Sequence, residues 1–358
     1  MPFQVSPGVN VSEVDLTTVV PSVSTTEGGI AGHFHWGPVE QRVLLSSEDQ
    51  LVSQFGKPTA DTFQNFFTAA NFLSYGNALY AVRTNSTGMK NATSSAGNSA
   101  ITLIKNADDY VNNYGSGISN IGAFAAKYPG ALGNSLKVSM CPSSVAYKST
   151  LSGTFTITSN TTSVIFSANQ SATLVAGDML EIGPVLGSKQ DVRVSSIAAN
   201  GTSATLATTY TGASASANTG LTRKWEYSSS TSRAPGTTQY ATNTGSTGDA
   251  MHIAVIDEDG QWTGIKGTVI EVFENISKAS DAKDTTGSSN YYKDVINNRS
   301  KYVWWADHDG ITNAGSPSNG TTYGTPIINS TVSLVNGDDG TAATAAEVNL
   351  ALDKFKNS

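Results

Sequence analysis

Charge is scarce in this chain of 358 residues: Asp, Glu, Lys and Arg make up 14% of it, where an ordinary globular protein carries about 25%. Its 21 basic residues form no run and face 28 acidic ones, for a net charge of −7. Neutralising phosphates takes clustered cations, so a nucleic-acid partner is excluded. Cysteine is nearly absent too. Cys141 stands alone, which rules out an intrachain disulfide and predicts synthesis in a reducing cytosol. The opening Met1-Pro2-Phe3-Gln4-Val5-Ser6 has no basic stretch followed by an apolar one, so no secretory signal is expected there. No segment approaches the roughly 20 apolar residues that span a bilayer, so membrane insertion is not expected. Also missing are a Gly-x-Ser-x-Gly elbow, a His-Glu-x-x-His helix, a Walker loop and a Gly-x-Gly-x-x-Gly turn. The reading is therefore not an enzyme, with no catalytic residues and no cofactor.

Ser, Thr, Asn, Ala and Gly fill the space that charge leaves. Hydroxyls cost less to desolvate than charges, so such a composition suits β-rich surfaces packed against neighbours, as in a large assembly. The Asn-x-Ser/Thr triplets at Asn91, Asn160 and Asn200 are what chance yields in such a chain.

Along the chain, Val9, Val11, Val14 and Leu16 form a short, broken apolar alternation after the turn Ser6-Pro7-Gly8, closed by Pro21. A strand with one apolar face and no hairpin partner nearby pairs with something distant, in its own domain or in another chain. Ile30 to Phe34 and Val43 to Leu45 read as strands. The clearest helix comes next, with Phe63, Phe66, Phe67, Ala70 and Leu73 at helical spacing. Thr59 or Asp61 is the expected cap and Gly76 the expected left-handed stop. Leu79 to Arg83 returns as a strand, an α/β order. Within 84–120 only Ile101 to Ile104 looks ordered. Tyr128-Pro129-Gly130 turns into a strand at Leu136 to Met140. Between Tyr147 and Tyr227, short strands at Phe155 to Ile157, Val164 to Phe166, Met179 to Ile182, Val192 to Val194 and Ala204 to Leu206 recur at regular spacing, the pattern of a small barrel or sandwich inserted in a host. Ser228 to Gly248 reads as a loop. His252 to Ile256 and Thr268 to Phe273 form a hairpin about Glu258-Asp259-Gly260. Tyr291 to Ile296 reads as helix and Tyr302 to Trp305 as a buried strand. Thr344 and Glu347 make a capping box before the stripe Val348, Ala351, Leu352, Phe355. The chain stops at Ser358 where a strand is expected next, as in a chain cut inside a domain.

Metal chemistry finds little support. His33 and His35 share one strand face, but a closed zinc site needs about four ligands and no other Cys or His lies near them in sequence. Three Asp-Gly segments, 257–260, 307–310 and 338–340, lack the Glu at position twelve of a calcium loop and read as turns. Trp304 and Trp305 alternate on a strand, one facing the core and one a neighbouring layer; burial is the reading, against sugar binding.

Several segments, taken in order, closely resemble the tail sheath proteins of contractile-tailed, T-even-like bacteriophages. They are Ser6 to Val9, Ala31 to Pro38 (AGHFHWGP), Leu51 to Thr59 (LVSQFGKPT), the Phe63 to Leu73 helix, Tyr75 to Arg83 (YGNALYAVR), Tyr128 to Asn134 (YPGALGN), the hairpin near Asp259, and Ser333 to Gly340 (SLVNGDDG). The stretch from Tyr147 to Tyr227 has no counterpart and reads as a decoration of the outer surface. Tube-contacting residues are not carried over, because the C-terminal part that bears them in the family is missing.

The resemblance implies a mixed α/β, discontinuous, multi-domain sheath fold with a core α/β domain and an inserted β-rich, barrel- or sandwich-like domain. The expected division is an extended arm at 1–22, a first part of the core at 23–84, a middle domain at 85–146 and 228–300, the insertion at 147–227, and a return to an incomplete core at 301–358. It implies a structural subunit of the virion, assembled in the host cytoplasm, that polymerises around a tail tube and contracts to drive it through the bacterial envelope. Expected partners are other copies of itself, the tube protein, and baseplate and terminator proteins. Val9, Val11, Val14 and Leu16 would donate the arm strand. The alternative is a phage adhesin or decoration protein that binds surface glycans through the β-rich insert.

Overall fold

The computed structural model describes residues 27–95, 102–183 and 189–356. Its first layer is a three-stranded sheet of β1 (Glu27–Gly32), β2 (Arg42–Leu45) and β3 (Ala78–Arg83). The order is β1-β3-β2, with β1 parallel and β2 antiparallel to β3. Parallel neighbours need a long crossover, and α1 (Glu48–Phe55) and α2 (Phe63–Leu73) supply it. The sequence pattern does not single out α1, yet its ends are well made: Ser47 caps it through the Gln50 amide, two acidic residues occupy the first turn, and Gly56 ends it at φ +77°.

The span of α2 is the expected one, but its inward stripe is narrower. Phe66, Ala69 and Ala70 are buried, whereas Phe63 and Phe67 are 46% and 52% exposed. Neither expected cap acts, because Thr62 precedes the helix and its side chain caps no amide. Gly76 is not among the left-handed residues; a Cβ there would meet the Phe72 ring at 2.8 Å, so close approach explains the glycine.

The second layer begins with α3 (Ala107–Asp109), which runs into a π-helical turn, then β4 (Phe124–Ala126), β5 (Leu136–Cys141) and α4 (Ser144–Tyr147). Next come β6 (Lys148–Thr150), β7 (Phe155–Ile157), β8 (Thr161–Phe166), β9 (Met179–Ile182), β10 (Gln190–Ile197), β11 (Ser203–Tyr210), β12 (Ala215–Asn218) and β13 (Thr222–Lys224). These eight form one sheet, ordered β12-β7-β8-β11-β10-β9-β13-β6. It curls as a half-barrel around its own apolar cluster, and its end strands β12 and β6 do not pair with each other. A bulge in β10 between Val194 and Ser196 adds to the curl. The entering and leaving strands, β6 and β13, are antiparallel neighbours, and the Trp225 amide donates to the Tyr147 carbonyl at 2.8 Å.

Past this sheet lie α5 (Gln239–Asn243), β14 (Ala250–Asp257), β15 (Thr268–Ser277), α6 (Tyr292–Arg299), β16 (Val303–Trp305), β17 (Ser330–Ser333) and α7 (Ala345–Leu352). The stretch 228–248, expected as loop, thus holds a 3₁₀ turn at Ser228–Ser230 and the short helix α5, which Thr238 caps through the Ala241 amide. A four-stranded sheet, β15-β14-β5-β17, carries the largest apolar cluster. All eight residues of β14 are buried. The expected hairpin is β14 and β15, antiparallel, with a ten-residue span from Glu258 to Gly267 between them in place of a tight turn. β16 pairs with β4 and β17 with β5, so 303–333 packs with the second layer, while α7 lies against β1. Trp304 and Trp305 are both 3% exposed and enter two different clusters, as their alternation implied. The 102–105 stretch is not regular strand, and Ile101 lies outside the described residues.

Candidate assembly surface

The four arm residues, Val9, Val11, Val14 and Leu16, lie outside the described residues. The first described element after them, β1, begins at Glu27 and forms one edge of its sheet, with no partner on its outer side among the described residues. Successive strand residues face opposite sides, and β1 uses small ones on both. A Cβ on Gly28 or Gly32 would strike Phe72 or Asn65 of α2, while one on Gly29 would touch Phe355 beyond α7. Helices therefore sit close on both faces and leave the edge open.

Around this layer large apolar side chains point outward: Leu44 at 54%, Phe63 at 46%, Phe67 at 52% and Tyr75 at 79% exposure. α7 is thinly held as well. Of its stripe only Ala351 is buried, and Leu350 and Leu352 are 59% and 44% exposed. Its capping box forms as expected, and the same Glu347 carboxylate reaches across to the amide and hydroxyl of Thr87, each at 2.9 Å.

The segments that carried the resemblance meet at one point. Arg83, at the end of β3, is fully buried and donates through Nη1 to the Gly37 and Pro129 carbonyls at 3.1 and 2.7 Å. Asp339 lies 3.7 Å from its Nη2 and accepts from His35 Nδ1 at 3.1 Å and the Ala131 amide at 3.2 Å. Asn134 exchanges two hydrogen bonds with the backbone of Gly337. So the AGHFHWGP, YGNALYAVR, YPGALGN and SLVNGDDG segments form a single polar junction that ties the first layer to the second. Burial lowers the Arg83 pKa to about 10, and Nε and Nη2 have no hydrogen-bond partner among the described residues. Bonds from His35 and the Arg83 charge outweigh burial and hold the Asp339 carboxyl below its usual range. Sequence reasoning found the segments but not the arginine. An Arg closing an apolar strand just ahead of a polar loop gives no local sign of such a role.

Elsewhere the polar residues are structural. His33 and His35 lie just past β1 and part company, the first toward Ser86 Oγ at 3.3 Å and the second toward Asp339. His252 accepts the Asn275 amide on Nδ1 and donates from Nε2 to the Arg233 carbonyl, an arrangement of the neutral ring; burial lowers its pKa. Asp257 accepts from Ser135 Oγ, the Trp262 and Thr263 amides and Thr263 Oγ1, so the first Asp-Gly segment is a buttressed loop. Burial pushes the Cys141 thiol up to about 12. Among the described residues, no three of His, Cys, Asp and Glu are grouped to hold a metal ion, and no helix is long and apolar enough to cross a membrane.

A strand-rich α/β body with a tied junction, an open sheet edge and outward aromatics has the features of a structural building block. The chain is similar to the tail sheath proteins of contractile-tailed bacteriophages. Residues 28–84 match the family described as tail sheath protein Gp18 domain III N-terminal region. The tail sheath protein of Salmonella phage ViI is 28% identical over 330 residues, covering 84% of this chain and 49% of that protein. That of Enterobacteria phage T4 is 39% identical over 106 residues, 29% of this chain and 16% of the other. The chain thus spans about half the length of the first relative and a smaller part of the second. Two solved sheath tail proteins are similar at greater distance. The one from Listeria innocua has a TM-score of 0.37 at 11% identity over 93% of this chain and 38% of that one. The one from Desulfitobacterium hafniense has 0.33 at 8%, over 98% and 42%.

Proposed function

We propose that this chain is the N-terminal portion of a sheath subunit that polymerises with its own copies around a tail tube and contracts to drive that tube through a bacterial envelope. The observation that carries this is the outer edge of β1, which has no partner among the described residues and follows in sequence the segment with Val9, Val11, Val14 and Leu16. Backbone pairing between copies persists while side-chain interfaces are exchanged, and a head-to-tail contact that does not close makes a helical tube. The arm is the strand donor. Baseplate and terminator proteins bound the tube at its ends, and the assembled subunit belongs to the virion after building in the host cytoplasm.

The domain division proposed is an arm at 1–22, core at 23–84, a middle domain at 85–146 and 228–300, and an insertion at 147–227. What supports the insertion is the pairing of its first and last strands. The strands β16 and β17 favour extending the middle domain through about residue 335, with α7 belonging to the core.

Electron microscopy of the protein at its natural length tests the reading. Long hollow tubes with a helical repeat are expected, and removal of residues 1–20 abolishes them while the circular dichroism of the body is unchanged. Monodisperse monomers or trimers under all conditions would overturn it, as would normal tubes from the shortened arm for the arm's role.

A further inference from the structure

Between the end of α1, the loop after β14 and the end of α6 lies a cleft of about 830 Å³. Its wall is a chain of aromatic rings. Trp36 stands edge-on to Tyr128 and to Trp262, at 5.5 and 4.9 Å, and Trp262 edge-on to Tyr302 at 4.9 Å. Lys57, Lys127, Arg299 and Lys301 line it, and no Asp or Glu does. For a chain with 28 acidic residues and a net charge of −7, a cleft lined by Lys57, Arg299 and Lys301 besides the buried Lys127, and by no Asp or Glu, is a local reversal of sign.

The four cations differ in what they can do. Lys127 is at the floor, its Nζ 3.4 Å from the Trp304 ring centre and donating to the Asn297 carbonyl. Arg299 reaches Asp284 only at 4.0 Å. Lys57 and Lys301 are exposed at the rim and make no ion pair among the described residues. Glu271 holds the Lys301 backbone amide from behind, at 2.8 Å.

We infer that this cleft is a receptor for an acid-bearing segment of a second copy of the chain. Trp, Tyr and Arg are the residue types that dominate protein–protein binding energy, and all three are concentrated here. A heterologous contact between identical subunits joins two different patches, and the acidic remainder of the surface supplies a complement to this basic one. The incoming carboxylates meet Lys57 and Lys301. The inference rests on the sheath reading only in expecting many copies side by side.

The test mixes unlabelled and ¹⁵N-labelled protein of natural length, lets it assemble, and applies a zero-length carbodiimide. The expected result is amide links from Lys57 and Lys301 to carboxylates of the other isotope. Links only within one isotope would mean that the same chain fills the cleft, and would overturn the proposal. So would tubes in which neither lysine is linked, or lysines shielded by an anionic polysaccharide and not by other copies. A K57E/K301E protein is expected to assemble only at about tenfold higher concentration while its melting temperature is unchanged. Tubes without links would sink this contact and leave the sheath reading standing. Inter-copy links in soluble oligomers without tubes would do the opposite, and neither links nor tubes would sink both.

Discussion

The eight-stranded sheet and the layers that carry it differ in how closely they pair buried charge. Inside the sheet, Arg223 and Asp178 are 0% and 2% exposed and face each other at 3.2 Å. Arg223 also donates to the carbonyls of Val145 and Ile327, and Asn329 donates to Asp178. The carrying layers hold the buried Arg83 against Asp339 at a longer 3.7 Å and bury two lysines against neutral oxygens. Lys278 Nζ donates to the carbonyls of Pro142, Gly248 and Gly324 at 2.7, 2.9 and 2.8 Å, and Lys127 has the Asn297 carbonyl and a Trp304 ring. The exposed apolar residues divide in a similar way. The sheet encloses its cluster and shows one large apolar side chain, Ile165, to solvent, whereas the first layer shows Phe63, Phe67, Leu44 and Tyr75. Both regions bury an apolar core and hold ion pairs; by the large apolar side chains left exposed, the sheet is nearer a finished unit and the first layer a part awaiting neighbours.

The largest effect should come from breaking the finished unit's ion pair. Arg223→Met leaves Asp178 buried and uncompensated, a loss of about 3–5 kcal/mol, read in urea unfolding by the fluorescence of the adjacent Trp225. Burial already outweighs Arg223 and the hydrogen bonds to hold the Asp178 pKa above its ordinary value, so the orphaned acid will take up a proton and soften the loss. Arg223→Met with Asp178→Leu should recover most of the stability. A single-variant cost below about 1 kcal/mol would mean that the pair does not anchor the sheet.

A smaller, pH-dependent effect should be confined to the carrying layers. Burial lowers Lys127 to about 7 and Lys278 to about 8 from 10.5. Above those values the folded state has released protons that the unfolded chain keeps, so stability rises with pH, by up to about 1.4 kcal/mol per unit for each lysine. Below pH 7 both states are protonated and the penalty is complete. Above pH 9 the Cys141 thiol, raised to about 12, and Tyr110, Tyr291 and Tyr323, each raised to about 12, reverse the slope. Melting temperature should therefore climb between pH 7 and 9, and Lys127→Met or Lys278→Met should each remove part of the climb. Parallel profiles for the two variants and the parent would show that neither lysine is the cause.

How much of this was legible in the sequence depends on the range of the interactions. The helix α2, the hairpin strands β14 and β15 and the Thr344–Glu347 capping box are short-range patterns, and their residues announced them. The strands of the eight-stranded sheet were legible for the same reason. Whether they closed was not, because alternation reveals a strand and says nothing of its neighbours. α1 has only Leu51 and Phe55 buried, too few for a stripe to stand out. The Arg83 junction and the aromatic cleft draw on segments more than a hundred residues apart, so nothing local could assemble them. Of the assembly surface, the arm residues were named from sequence and the outward position of Phe63 and Phe67 was not. Helical spacing had assigned both to the core.

Those two rings give the smallest expected effect on stability and the sharpest test of the comparison. Phe66→Ala, on the inward face of α2 at 3% exposure, should cost about 3–5 kcal/mol as any large-to-small core change does. Phe63→Ser, 46% exposed on the same helix, removes little buried area and should stay within about 0.5 kcal/mol, as surface changes do. Phe67→Ser should cost somewhat more, because the ring stands edge-on to Phe66 at 5.6 Å, an arrangement of about 0.5–1.5 kcal/mol. If the first layer is a part awaiting neighbours, the order reverses when assembly is measured. The Phe63→Ser protein, folded as well as the parent, should then raise the concentration needed for tube formation, because the area it lacks is area that only the assembly buries. A Phe63→Ser protein that melts and polymerises like the parent would place this flank of α2 outside the lattice contacts. The open edge of β1 would then be the feature of the first layer left to carry them.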